Sequence, residues 1–434
     1  GAVLVASSVI AVAPPRAVAA TTVSVPDTID RTGATDVTDA LTTFFAGLGP
    51  GATVELPANG RYRVDGTIVL TNRRDLTVDG RGSTFFAVTD GSGVTPPRGG
   101  QRAGWPRLRQ QWRIRGGANI TLHDFTVRGA NANGGATTGA YVPRLEGQAG
   151  IAVQRATGVT LDAVHVTNTY GDAVYVTGRA TNVMVRNSTL ERTGRQGVAV
   201  VSAQHVTIAD NVIRDVARSV FDLEPPPRAV VRDVHLQGNR VGAYGNFLLA
   251  AGGAGPGVGD VWLQANQVDG GHGVSVFAGV TRQARTGFHI LDNTGTGEAR
   301  PAGGTGLRGL LQLVNLGQVE VRGNHQRVAG VPAVSADRVC GLTLSGNDFP
   351  GASTEHEVVR ACGAAAPAAP PATEARPPGS APSTPAPTIP AASADGGGDT
   401  AGSVAAGLGG FVLGLGVAAV AFVLWRRSRS RSRG

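Results

Sequence analysis

Asp222 and Glu224 stand in the run Phe221-Asp222-Leu223-Glu224-Pro225, where two acids interrupt an apolar alternation and two more prolines follow. In an extended strand alternate side chains share a face, about 7 Å apart. Two carboxylates so placed can work as acid and base, or as acid and nucleophile, at a glycosidic bond. Asp172, Arg195, Gln196, Arg218 and His272 each lie just before a similar short apolar segment, and Arg195 and Arg218 hold like places in consecutive segments. Arginine forks suit the carboxylates or sulfates of acidic sugars. The plainer reading is a surface ladder in which Asp222 and Glu224 pair with Arg195 and Arg218, adding little stability. His272 equally suits an ordinary hydrogen-bonded surface position.

These residues can meet only if the chain stacks upon itself, and a repeated phrase says that it does. Apolar-x-apolar-x-x-Asn-x-apolar, or a close variant, begins at Ile120, Val159, Val183, Val206, Val234, Val261, Phe288, Val319 and Leu342. From Val159 onward the steps are 24, 23, 28, 27, 27, 31 and 23 residues. Two-residue alternation over so few positions indicates strand rather than helix. A propeller needs blades of roughly 40–45 residues, so a solenoid with one turn per phrase fits better. The sixth position holds Asn211, Asn239, Asn266, Asn293, Asn324 and Asn347 in successive units. A recurring amide at one bend suits an asparagine ladder between stacked turns, and asparagine tolerates left-handed bends. Second strands at 174–176, 198–200, 221–223 and 274–276 complete most units. Aligned with one another, they give an outward row Tyr175, Ala199, Asp222, Leu248, Ser275 and a second row Thr177, Val201, Glu224, Ala250, Phe277.

With that pattern the chain resembles the pectate-lyase-like superfamily of right-handed parallel β-helices over about residues 22–362. Its front agrees: Val37, Leu41, Phe44 and Leu48 fall on one helical face that would cap the open apolar end. The resemblance implies the fold and leaves activity open, because this architecture carries hydrolases, lyases, epimerases and inert adhesins. Asn168-Thr169-Tyr170-Gly171-Asp172 and Gly271-His272-Gly273 echo polygalacturonase-like motifs. The Asp-Asp pair and the lysine of that family are absent, so its catalytic roles do not transfer. Lyases of this fold need a base and frequently Ca²⁺; Arg195 or Arg218 would have to be the base, and Asp222 and Glu224 could bind the metal. Free arginine is a poor base.

Two insertions, 90–117 and 128–149, exceed what turn connections need and could wall a cleft. The first carries Arg98, Arg102, Arg107, Arg109, Trp105 and Trp112, with Trp105 either a sugar platform or a loop anchor. The second ends in Tyr141, Arg144, Glu146 and Gln148, placed to face Asp172 and Tyr175.

Composition narrows the setting. The 434 residues include 64 Gly, and all 39 basic residues are Arg. Of the net charge of +8, part sits in the C-terminal tail, and the remainder is too dilute for nucleic acid. Residues 1–20 read as a signal peptide lacking its charged front, 364–401 as a Pro/Ala/Ser/Thr-rich linker, 402–425 as a transmembrane helix and 426–434 as an Arg-rich cytoplasmic tail. The β-helix domain, 21–363, is then extracellular, and its only cysteines, Cys340 and Cys362, suggest one disulfide; two buried thiols are the alternative.

The expectation is therefore an all-β, right-handed parallel β-helix with an N-terminal capping helix, anchored at the cell membrane. Its expected work is on an extracellular or envelope polysaccharide, by hydrolysis or elimination. Asp222, Glu224 and Asp172 would be catalytic, and Arg195, Arg218, Gln196, Tyr175, Glu146 and His272 substrate-binding. No cofactor beyond Ca²⁺ is indicated, and nothing points to a state other than monomer. The competing expectation is a non-catalytic glycan-binding or adhesive surface module.

Overall fold

The computed structural model describes residues 21–94, 108–253, 255, 257–280, 285–301 and 305–363. The leader, linker, membrane-span and tail assignments lie outside these residues, as do Arg98, Arg102, Trp105 and Arg107. Among the described residues no helix is long and apolar enough to cross a membrane.

The chain winds as a right-handed parallel β-solenoid of about 12 turns. Every strand pairing along it is parallel, within sheets of 20 and 11 strands among the described residues. The repeated phrase spans two faces of each turn. In one unit Ala203–Ala209 forms the first and Val212–Val216 the second, with Asn211 at the bend between them. The smaller sheet is the third face. It includes Gln110–Arg115, Ala149–Gln154, Asp172–Thr177, Val198–Val200, Phe221–Leu223, Leu249–Ala251 and Val276–Gly279. Alternate apolar side chains from all three faces fill the interior, as period-two patterning requires.

The bend is stitched by the asparagines. Asn239 Nδ2 donates to Ile208 O at 2.9 Å and to Asn266 Oδ1 at 3.0 Å, and the pattern repeats through Asn347. The left-handed residue is the one before each ladder asparagine: Asp210, Gly238, Ala265, Asp292, Gly323 and Gly346 have φ of 56°, 65°, 52°, 55°, 67° and 61°. The ladder residues therefore serve by their amides, and the expectation that they adopt the bend themselves is corrected.

The N-terminal end is closed by the helix Thr38–Gly47. Leu41 and Phe45 are its fully buried pair, one turn apart, while Phe44 and Leu48 lie at the margin. The residue on the expected face is thus Phe45 rather than Phe44, because the helix starts after Val37 and the i, i+4 pair points inward. Phe45 meets Trp112 edge-on at 5.4 Å between ring centres, and Trp112 meets Phe85 at 4.9 Å. Trp112 is consequently core, and the first insertion is shorter than expected because Gln110–Arg115 is already a strand of the solenoid. Arg109 is buried too, donating to Thr89 O at 2.9 Å and Asp65 O at 3.3 Å. At the other end Cys340 and Cys362 form a disulfide that ties the last turn.

Candidate functional site

Strand register decides which side chains become neighbours. On the outer side of the third face Tyr175 pairs with Ala199, Ala199 with Asp222, Asp222 with Ala250 and Ala250 with Phe277. Beyond Asp222 this departs by two residues from the row that sequence alignment suggests. Leu248 and Ser275 are fully buried in the connections, and the strands begin at Leu249 and Val276. The inward places must be filled by Leu249 and Ala251 opposite Phe221 and Leu223, which sets the slip.

Arg195 is the hub. Its guanidinium lies 3.2 Å from Asp172 Oδ2, 3.0 Å from Glu224 Oε2, 3.8 Å from Asp222 Oδ2 and 4.0 Å from Glu146 Oε2. Asp172 comes from the start of one strand, Arg195 from the turn preceding the next, Asp222 from the strand after and Glu224 from the residue that follows that strand. Glu146 arrives from the long connection 129–148. Gln196 completes the bracing: its N–H donates to Asp172 Oδ1 at 3.1 Å, its Nε2 to Asp222 Oδ2 at 2.8 Å, and its Oε1 accepts from Ser219 N at 2.7 Å. Both polar atoms of its amide thus have partners inside the protein, with one Nε2 hydrogen left over.

Burial grades the acids. The Asp172 side chain is 3% exposed, Asp222 9% and Glu224 21%. Burial pushes Asp172 up to about 6, against the pull of Arg195 and the Gln196 N–H. Burial also raises Asp222, with Asp172's charge adding to it, and raises Glu224, helped by the charge of Asp222. For Arg195 burial disfavours the charge, but Asp172, Asp222, Glu224 and Glu146 outweigh it and raise its pKa. Tyr175, half-buried beside them, is raised by burial and by Asp172.

Arg218 does not join the acids. Among the described residues it has no carboxylate partner, and its guanidinium lies 4.4 Å over the Tyr141 ring. The Tyr141 hydroxyl donates to Glu146, and burial with that bond pushes it up to about 12. The connection carrying both is anchored, not loose: Gln148 Nε2 donates to Asp90 O at 2.6 Å, Arg144 reaches Asp90 at 3.2 Å, and Asn131 Nδ2 bonds Thr169 O at 3.1 Å. His272 stays apart, its ring nitrogens 3.0 Å from Arg300 O and 3.2 Å from Gly245 O. It belongs to the same stack of turns as Arg218, and among the described residues it makes no hydrogen bond or ion pair with the acids.

The result is a compact acid cluster around a single cation, in place of a regular ladder of acid–arginine pairs. Its carboxylates do not fit Ca²⁺, since they converge on the Arg195 guanidinium itself. Among the described residues no group of His, Cys, Asp and Glu side chains is placed to hold a metal ion. Asp222 and Glu224 oxygens both lie within reach of one nitrogen, so they are no more than about 7 Å apart, a separation compatible with paired-carboxylate chemistry.

A family model described as a right handed beta helix region matches residues 113–268. No curated protein matches the sequence. The fold is similar to that of PfbA, a surface adhesin of Streptococcus pneumoniae, at 14% identity over 77% of this chain and 92% of that one, with a TM-score of 0.48. It is also similar to the A-module of the Azotobacter vinelandii mannuronan C-5 epimerase AlgE6, at 17% identity over 76% and 94% of the two chains, TM-score 0.47. A third similar structure is a family 28 exopolygalacturonase of Yersinia enterocolitica, at 13% identity over 79% of each chain, TM-score 0.45. These likenesses are of fold.

Proposed function

We propose that this protein cleaves a polysaccharide by hydrolysis at the cluster Asp172, Arg195, Asp222 and Glu224. The observation that carries the reading is the convergence of three acids, with Glu146 at the edge, on the Arg195 guanidinium. Carboxylates crowded in this way share protons near neutrality, which is the condition for one to donate while another accepts. Glu224, the most exposed of the three, is the general acid that protonates the leaving oxygen. Asp222, held by Gln196, is the base or nucleophile. Asp172 is the deepest, and its oxygens are committed to Arg195 and Gln196, so it positions the hub. Arg195 is held firmly protonated and cannot serve as the base of an elimination, which leaves that role to Arg218, a poor base as a free arginine; hydrolysis is the reading we take. Arg218 on Tyr141 borders the site and is free to meet a hydroxyl or acidic group of the sugar.

We place this activity outside the cell, on the strength of the terminal segments of the sequence and of the Cys340–Cys362 disulfide, a bond suited to oxidising compartments. The test is a polysaccharide panel scored for new reducing ends and, separately, for unsaturated products. Hydrolysis predicts the first without the second. Glu224→Gln and Asp222→Asn should each lower cleavage by roughly 10²–10⁴-fold while glycan affinity persists. Binding without cleavage in the wild type would replace this reading with that of a glycan-binding surface module.

A further inference from the structure

A second charged group lies on the same outward row. Arg113 pairs in register with Ala152, Ala152 with Tyr175, Tyr175 with Ala199, and Ala199 with Asp222. At one rung per about 4.8 Å, Arg113 stands roughly 19 Å from Asp222 along the solenoid.

Arg113 is unusual among the buried arginines. Arg285 is 1% exposed and spends its guanidinium on three backbone carbonyls, Ala251 at 2.7 Å, Gly253 at 3.0 Å and Gly255 at 2.9 Å. Arg109 is likewise held by carbonyls. Arg113 is only 8% exposed, yet among the described residues its one hydrogen-bond partner is Gln154 Oε1, at 2.5 Å from Nη2; its buried Nε is unpaired, as is that of Arg285, so what sets Arg113 apart is that no backbone carbonyl holds the rest of its guanidinium. No carboxylate lies within 4.0 Å of it among the described residues. The charges that act on it are positive: burial and then Arg115 and Arg155 disfavour its ionised form. A buried cation without a counter-charge is costly, and a guanidinium is matched best by a planar or tetrahedral oxyanion. Nothing in the described chain supplies that anion, so a ligand can.

We propose that Arg113, with Arg155 beside it, forms an anion subsite that takes a carboxylate or sulfate group carried by a glycan. That the glycan continues to Asp222 and Glu224 for cleavage rests on the function proposed above; the anion subsite itself does not. The polymer would run along the solenoid axis with its acidic substituent a few sugar units from the bond that breaks.

The test is calorimetric titration of the full chain at low salt with three oligosaccharides of equal length: a uronate oligomer, a sulfated one and a neutral one. The expected result is tighter binding of at least one acidic oligomer. Arg113→Gln should weaken that binding by roughly tenfold or more, and leave neutral binding unchanged. The uronate and sulfate arms identify which oxyanion is received. If Arg113→Gln fails to fold, the exposed Arg155→Gln should still weaken acidic binding by roughly threefold and flatten its salt dependence. Equal affinity for acidic and neutral oligomers overturns the proposal, as does a folded Arg113→Gln that binds the acidic oligomer like the wild type. Asp222→Asn with Glu224→Gln should keep acidic binding intact. Loss of cleavage and loss of anion binding are thereby read apart.

Discussion

Arg195 Nη2 lies 3.0 Å from Glu224 Oε2, and these two side chains come from consecutive turns that meet only because the solenoid stacks them. The contact makes one guanidinium the electrostatic centre for four acids from three separate segments. Removing it should therefore do more than break a single ion pair. Arg195→Gln is expected to cost about 2–4 kcal/mol of stability, somewhat below the full figure for a buried pair because the Arg195 side chain keeps 19% exposure. The loss should be larger at pH 8 than at pH 5, because the uncompensated acids can take up protons at the lower pH. Urea unfolding at the two pH values checks this, and an equal loss at both would contradict it.

The wild-type protein should itself lose stability as pH rises. Asp172, Asp222 and Glu224 all have folded pKa values raised above their unfolded ones, Asp172 to about 6. Between the ordinary carboxylate range, near 4, and neutrality the native state binds more protons than the unfolded chain. Their contribution is thus fully present below the unfolded values and disappears as pH climbs through the folded ones. Stability measured from pH 4.5 to 7.5 should fall across that window from this source. Replacing Asp222 with Asn and Glu224 with Gln should flatten the fall. A wild-type curve rising steadily through the same range, unaltered by those changes, would show that the cluster does not share protons.

Much of this was legible in the residues. The period of the repeated phrase follows from stacking, the ladder asparagines mark its later turns, and together they located the turns. Asp172, Arg195, Asp222 and Glu224 could be brought to one place because they lie in consecutive turns whose strands are simple to align. A change in connection length is what sequence alignment of the turns does not reveal. Between Phe221–Leu223 and Leu249–Ala251 the extra residues shifted Leu248 into the interior, which apolar alternation alone could not distinguish from an outward place. Trp112 was hidden for a different reason, since Gln110–Arg115 carries no copy of the repeated phrase to announce it. Arg113 went unnoticed with it. The missing signal was the alternation in Gln110–Arg115, where Trp112 and Ile114 face inward and Arg113 must face out.

The asparagine ladder offers a test of the frame on which every site residue depends. Asn266 Nδ2 donates to Leu236 O at 2.8 Å and to Asn293 Oδ1 at 2.9 Å, while its Oδ1 accepts from Asn239 N and Asn239 Nδ2, both at 3.0 Å. Asn266→Ala would leave these groups buried without partners. At about 1–3 kcal/mol for each unsatisfied group, with partial relaxation, the expected loss is about 3–5 kcal/mol. Asn347 makes the same kind of bonds at the last rung but is partly exposed, so water can replace it, and Asn347→Ala should cost only about 1 kcal/mol. Position 188, the equivalent place in an earlier turn, holds a serine whose hydroxyl accepts from Val164 N at 3.1 Å and donates to Arg186 O at 2.7 Å. Asn266→Ser should accordingly be milder than Asn266→Ala. Because a solenoid can open one turn at a time, hydrogen exchange at the Asn239 N–H is the sharper measurement, and faster exchange in Asn266→Ala than in Asn347→Ala is the expected order. Equal costs at the two rungs would mean that the amides contribute little beyond filling space, and that the register placing Arg195 beside Asp172 and Glu224 is set by the apolar interior alone.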